Sequence, residues 1–153
     1  MIKILFVCHG NICRSPMAEF VMKQIVAREN KSADFYISSA ATSTEEIGNG
    51  IHYGTVSKLR EEGIPCTGHR AVQMTRADYD KYDYLIGMDD ANIRNMLRIV
   101  GPDKDGKIYK LLDFTDMSRA IADPWYTGNF DVTYADVREG CEAFYRYLCM
   151  SET

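Results

Sequence analysis

Apolar residues along the chain fall into runs whose period switches repeatedly. Ile2 to Val7 is a short apolar run of the kind that forms a strand buried on both faces. Ala18, Val21, Met22, Ile25 and Val26 follow at i, i+3, i+4, i+7 and i+8, the spacing of one helix face. Phe35 to Ala40 predicts a second strand. A helix around Gly54 to Glu62 ends at Gly63, with Pro65 just beyond as a stop signal. Tyr84 to Met88 predicts a third strand, and Ile93, Met96, Leu97 and Val100 the next helix. Asp105-Gly106 turns the chain into a fourth strand, Lys107 to Leu112. Val137, Cys141, Phe144, Tyr145 and Leu148 mark a last helix. Strand and helix alternate four times, which predicts an α/β fold, a parallel sheet with helices on both faces. Ligands in such folds bind beyond the carboxyl ends of the strands. The loops after Val7, Ala40, Met88 and Leu112 are therefore the places to look.

Composition narrows this reading. The 153 residues fit one domain, 1–153, and the 46% apolar and 26% charged fractions are those of a folded globular chain. The net charge of −4 argues against a general nucleic-acid binder. Asp113 to Glu142 holds seven acids and two bases, whereas Met1 to Lys31 holds five bases and two acids, so an anionic ligand would favour the first end. No run is apolar enough to span a membrane. The opening run resembles a lipoprotein signal ending at Cys8, but it is short and bulky Val7 stands where a cleavage site needs a small residue, so a cytoplasmic protein is expected. Five cysteines are too few for a disulfide scaffold, and Cys66, Cys141 and Cys149 read as buried thiols.

The loop after the first strand reads Cys8-His9-Gly10-Asn11-Ile12-Cys13-Arg14-Ser15, then Pro16. Ser15 suits an N-cap and Pro16 a first helical residue. A strand end feeding a helix start makes backbone N–H groups converge, with the helix dipole behind them, on a phosphate-type anion site. Gly10 permits close backbone approach and Asn11 tolerates a left-handed conformation. The same N–H groups favour a thiolate at Cys8. Arg14 can fork onto two phosphate oxygens. A thiolate below phosphorus, with an arginine on the equatorial oxygens, is a plan for covalent phosphoryl transfer. Ser15 can hydrogen-bond the sulfur and help it leave.

Each part has a plainer reading. Cys8 alone is more often an inert core thiol, and Arg14 alone a solvated charge. Cys8 and Cys13 could be half a zinc site, but no second pair has ligand spacing. A dinucleotide loop is excluded by the missing Gly-x-Gly-x-x-Gly. The joint pattern is far more specific than its parts. No metal and no cofactor is expected.

From these residues onward the chain resembles the low-molecular-weight protein tyrosine phosphatases. The match runs through Val7-Cys8-x-Gly10-Asn11-x-Cys13-Arg14-Ser15-Pro16, Ser39 to Ser43, Ile47-Gly48, Gly63-Ile64, His69-Arg70-Ala71, Asp83-Tyr84, Met88-Asp89 and Asp123-Pro124-Trp125-Tyr126. The resemblance implies a four-stranded parallel sheet in order 2-1-3-4, which periodicity does not supply. It also implies hydrolysis of phosphotyrosine and aryl phosphates through a phosphocysteine on Cys8, with residues 9–15 (His9, Gly10, Asn11, Ile12, Cys13, Arg14 and Ser15) around the phosphate.

A general acid must protonate the leaving oxygen. Spacing does not choose among the many acids. Asp123, beside Pro124 in a long connection after the fourth strand, is favoured by its aromatic followers Trp125 and Tyr126, which can wall a slot. The resemblance places the acid there too. Asn11, Ser15, Ser39 and His69 are implied as a network holding the loop, Asp89 is expected to cap the helix containing Asn92, and His9 to line the pocket rim. The family resemblance also implies a redox pairing of Cys8 with Cys13. The substrate expected is a tyrosine-phosphorylated protein, with no nucleic acid or membrane partner, and a monomer is favoured.

Two positions depart from the family pattern. Many members carry an aromatic residue in the loop after strand two, where this chain has Glu45 beside Glu46, giving the slot an acidic wall that would disfavour acidic flanking residues. The related protein arginine phosphatases carry threonine just before the second loop cysteine, where this chain has Ile12, which favours phosphotyrosine. An arsenate reductase of the same fold is the main rival. It needs a relay of further cysteines, and Cys66 stands alone in its region. A non-catalytic phosphate-binding module would have lost Cys8, Arg14 or Asp123, and all are present.

Overall fold

The computed structural model describes residues 1–151, so the last two positions of the expected 1–153 domain lie outside the described residues. The strands are β1 (Ile2–Cys8), β2 (Phe35–Ala41), β3 (Tyr84–Gly87) and β4 (Ile108–Lys110), and the helices are α1 (Arg14–Arg28), α2 (Tyr53–Glu61), α3 (Asp78–Lys81), α4 (Asp90–Val100), α5 (Pro124–Thr127) and α6 (Phe130–Ser151). The strands pair in parallel in the order β2-β1-β3-β4, with Cys8 opposite Ala41 at the carboxyl end of β1.

Strand alternation divides the core into two layers. Ile4, Phe6 and Cys8 pack under α1, α2 and α6, against Met17, Val21, Met22, Leu59, Val137 and Phe144. Leu5 and Val7 point the other way, to Tyr79 of α3 and Met96 and Val100 of α4. The central strand is thus apolar at nearly every position because both faces are covered. Phe6 and Phe144 meet edge to face at 6.4 Å. Removing either ring would cost about 3–5 kcal/mol by the cavity it leaves. Helix α2 closes as its sequence predicts: Gly63 adopts φ 74°, and Ile64 N–H donates to Leu59 carbonyl at 2.8 Å.

Several local expectations are corrected. The fourth strand is only Ile108–Lys110, and Leu111–Phe114 coils into a 3-10 turn. The reason is packing: Leu111 stands where a Cβ at Gly140 would lie, 2.5 Å from its Cγ, so the leucines leave the sheet to fill the surface of α6. The third strand ends at Gly87 rather than Met88, and a side chain at Gly87 would crowd Ile93, Asn92 and Met96. Helices α3 and α5 are too short for periodicity to show, and α6 begins earlier than its apolar stripe. Cys141 is buried as expected, but Cys66 is half-buried in the irregular segment after α2, and Cys149 is exposed on the outward side of α6. No helix among the described residues is long and apolar enough to cross a membrane.

Candidate active site

Helix α1 begins two residues earlier than expected. Cys13 is its N-cap, with no side-chain capping bond, and Arg14 and Ser15 are already helical. The expected Ser15 cap is thus not made. A capping hydroxyl would consume first-turn N–H groups, which instead remain for a ligand. The Ser15 hydroxyl turns inward, 3.0 Å from Cys8 Sγ, and Ser15 N–H donates to the same sulfur at 3.4 Å. Asn11 fixes the direction of this bond. It takes the left-handed conformation, φ 61°, which an asparagine accepts at small cost. Val72 N–H donates to its Oδ1 at 3.2 Å, so its Nδ2 must be the atom facing Ser15 Oγ, at 2.9 Å. With Ser15 oxygen already accepting from Asn11, its own proton is free to point at sulfur. The hydroxyl therefore stabilises negative charge on Cys8.

Arg14 is nearly fully buried beside this sulfur. Its Nη1 donates to Asp89 Oδ2 at 2.7 Å and to the Ile121 carbonyl at 2.9 Å, and its Nη2 lies 3.5 Å from Asp123 Oδ2. Burial pulls the guanidinium down, but the Cys8 sulfur, Asp89 and Asp123 more than offset this and hold it above its ordinary value. Burial likewise raises Asp89, yet the bonds from Arg14 and Asn92 leave it below the usual carboxylate range. Asp89 is the expected cap of α4, accepting from Asn92 N–H at 2.8 Å, and it also holds the arginine. Asp123 caps the short α5, accepting from Trp125 N–H at 3.0 Å. That bond holds one carboxylate oxygen while the other faces Arg14.

The loop is braced from behind. His69 Nε2 donates to the Asn11 carbonyl at 2.8 Å, and its Nδ1 lies 4.0 Å from Glu19 Oε1. Ser39 Oγ donates to Glu19 Oε1 at 2.5 Å, and Lys23 Nζ to Glu19 Oε2 at 2.6 Å. Ser39 therefore reaches the loop only through Glu19 and His69. Sequence reasoning missed Glu19, a buried acid on α1. Its signal was an acid beside the apolar face with Lys23 one turn on, a spacing that also describes any surface pair.

Cys13 is buried behind the loop, and its carbonyl accepts from Thr55 Oγ1 at 3.3 Å. Burial, followed by Cys8 and Asp123, pushes its thiol up to about 12. The pocket above Cys8 is lined by His9, Gly10, Ile12, Cys13, Arg14, Glu45, Glu46, Asp123, Trp125 and Tyr126. Every residue expected in the slot lines it, and Glu46 joins them. His52, which sequence did not single out, meets Trp125 edge to face at 5.6 Å and stacks on Phe130 at 5.3 Å. Among the described residues no group of three or more His, Cys, Asp or Glu is arranged to hold a metal ion.

Known proteins share this fold. The family model described as low molecular weight phosphotyrosine protein phosphatase matches residues 3–152. The low molecular weight protein-tyrosine-phosphatase YfkJ of Bacillus subtilis is 40% identical over 144 residues, covering 93% of this chain and 92% of its own. Its crystal structure superposes with a TM-score of 0.96, over 100% of this chain and 98% of that one, at 37% identity. A low molecular weight protein tyrosine phosphatase of Streptococcus pyogenes gives a TM-score of 0.86 at 44% identity, over 97% of this chain and 93% of its own. An arginine phosphatase of Drosophila has the same fold at 28% identity and a TM-score of 0.86, over 96% of this chain and 98% of that one. With a match running nearly end to end, the chain belongs to the low molecular weight protein tyrosine phosphatase family and is a cysteine-dependent phosphoric monoester hydrolase acting on protein phosphotyrosine.

Proposed function

We propose that Cys8, Arg14 and Asp123 carry the hydrolysis, in one catalytic domain. The observation that carries this reading is the sulfur of Cys8, held by the Ser15 hydroxyl and N–H at the base of a pocket whose helix start is left uncapped. The phosphate displaces Arg14 from its resting contacts and takes the guanidinium fork on two oxygens. The Cys8 thiolate attacks phosphorus, the P–O bond to tyrosine breaks, and the leaving oxygen takes the proton of Asp123. Asp123, now a carboxylate, takes a proton from water as that water attacks the phosphocysteine. The P–S bond breaks, inorganic phosphate leaves, and Ser15 stabilises the returning thiolate.

Depth supports the choice of phosphotyrosine over phosphoserine. Cys8 and Arg14 are each only 3% exposed, whereas Trp125 and Tyr126 at the mouth are 56% and 84% exposed. A long flat side chain spans that depth between aromatic walls, and a serine does not. Ile12 lines the same pocket without a hydroxyl, which favours phosphotyrosine over phosphoarginine. The cysteines do not favour a reductase relay: Cys141 lies in the core with its sulfur 3.7 Å from the Ala18 carbonyl. Cys8→Ser is expected to abolish turnover with the fold intact. Asp123→Asn is expected to lose more rate on phosphotyrosine than on p-nitrophenyl phosphate, whose leaving group needs little protonation. Equal losses on both substrates would remove Asp123 from the acid role.

The same reading extends to redox control in a cytoplasmic, monomeric enzyme. Peroxide converts the Cys8 thiolate to a sulfenic acid, and the Cys13 thiol then displaces water to close a disulfide. Supporting this, Cys8 ends β1 and Cys13 caps α1 across one short loop, and negative charge on Cys8 raises the Cys13 thiol. Oxidised wild type is expected to recover with dithiothreitol, and Cys13→Ser to recover far less. Full recovery of that variant would reduce Cys13 to packing. Size-exclusion chromatography with light scattering tests the monomer, and fractionation of the producing cells tests the location.

A further inference from the structure

The walls of the pocket differ in chemistry from its base. Arg14, the cation that meets the phosphate, is buried at the base and already faces Asp89 and Asp123. Nearer the surface the pocket is lined by two carboxylates, Glu45 and Glu46, with no lysine or second arginine among its lining residues. An acidic rim around a site for an anion works against the phosphate itself, so it calls for a reason of its own.

The acidic wall is built, not floppy. The segment after β2 is stitched to the phosphate loop by Thr42 N–H donating to the Cys8 carbonyl and Ser43 N–H to the His9 carbonyl, both at 3.0 Å. Its far end is pinned by Gly48 N–H to the Ala71 carbonyl at 2.9 Å and Ala71 N–H to the Asn49 carbonyl at 2.8 Å. Between these anchors, the Glu45 carboxylate accepts from His9 Nε2 at 2.9 Å. The Glu46 stem lies over Gly10, where an added Cβ would stand 3.3 Å from its Cγ, and its carboxylate accepts from Asn49 Nδ2 at 2.6 Å. Asn49 is neutral and leaves the charge of Glu46 uncompensated. Both side chains therefore meet a ligand with little ordering still to lose. The pocket also holds the exposed face of Trp125, onto which a guanidinium or ammonium can stack.

We propose that Glu45 and Glu46 form a subsite that selects a basic residue, arginine or lysine, flanking the phosphotyrosine of the substrate. The phosphate is read at the buried base, where Arg14 meets it. The flanking residue is read at the rim, where the cation neutralises carboxylates held in advance by His9, Gly10 and Asn49. The inference rests on the phosphotyrosine phosphatase reading and adds the sequence context of its substrate.

Matched phosphotyrosine peptides carrying arginine, glutamine or glutamate on either side of the phosphotyrosine test it, with free phosphotyrosine as the reference substrate. In wild type at low ionic strength, kcat/KM for the arginine peptide is expected to exceed that for the glutamate peptide by about three- to tenfold, the range of a few exposed charge contacts. The ratio shrinks toward one at high salt, and it shrinks in the Glu45→Gln, Glu46→Gln double variant at low salt. Because each ratio is taken within one protein, a change in overall activity does not affect it. If wild type hydrolyses free phosphotyrosine but shows no arginine preference, or the double variant keeps the full ratio, the subsite is wrong and the phosphatase reading stands. If wild type fails on free phosphotyrosine as well, both fall together.

Discussion

At the base of the pocket Asn11, Arg14 and Ser15 are buried and each polar side chain has assigned partners, whereas at its mouth Glu45, Trp125 and Tyr126 stand in solvent with few. The base is a closed network in which the orientation of one amide sets the next bond: Val72 fixes Asn11, Asn11 fixes Ser15, and Ser15 faces the sulfur. Buried polar networks of this kind are stable only when every member is satisfied, so a change at one position propagates. The mouth obeys another rule. Its residues are anchored through backbone and stems, and their heads can change without disturbing the sulfur. Chemistry is thus built into the part that cannot vary cheaply, and substrate choice into the part that can.

The sharpest way to break the comparison is at Arg14. Arg14→Lys keeps the charge but loses the fork that reaches two oxygens at once. It is expected to lower kcat/KM on p-nitrophenyl phosphate by roughly a hundredfold or more and to weaken the binding of inorganic phosphate measured by calorimetry. A lysine variant near wild-type activity would mean that charge alone suffices at the base.

A smaller effect is expected one layer back. Glu19→Ala removes the acceptor for Ser39 and Lys23 and leaves His69 without its acidic neighbour. Stability in a urea melt should fall by about 2–3 kcal/mol, the cost of orphaned buried donors, and kcat should fall with it because the Asn11 brace loosens. A stability loss with an unchanged kcat would separate the brace from the chemistry.

The last effect is silent at neutral pH and appears only in alkali. Burial raises the Cys13 thiol from 9.0 to about 12, and that of Cys141 is raised as well. An acid whose folded form holds its proton more tightly stabilises the fold below its unfolded value, and that contribution is lost as pH rises. Stability should therefore decline from pH 9 toward 12. The Cys13→Ala, Cys141→Ala double variant should decline less over the same window in urea melts at fixed pH. Equal slopes would show that other groups govern the alkaline limb.

Much of the fold was legible because apolar spacing reports burial directly. β1, β2, α1 and α4 lie where their patterns predict, since their side chains face one of two covered layers. What stayed hidden depends on tertiary packing. Leu111 and Leu112 continue an apolar run, and only the groove at Gly140 turns them out of the sheet. Ser15 has the chemistry of a cap, and only the nearby Cys8 sulfur turns its hydroxyl inward. At the site, Cys8, Arg14 and Ser15 could be read together because one short loop carries them all. Asp123 could be favoured but not chosen by spacing. Glu19 could not be found, because an acid on a helix announces itself as buried only when Ser39 and His69 arrive from distant segments.

The central claim is a phosphoryl group carried by sulfur. Acid quenching of the enzyme during steady turnover of p-nitrophenyl phosphate, followed by peptide mapping under conditions that preserve phosphocysteine, measures it directly. The account predicts phosphate on Cys8 in wild type, more of it in Asp123→Asn, where the water attack lacks its base, and none in Cys8→Ser. Phosphate on another residue, or full turnover with Cys8 never modified in either protein, would contradict it.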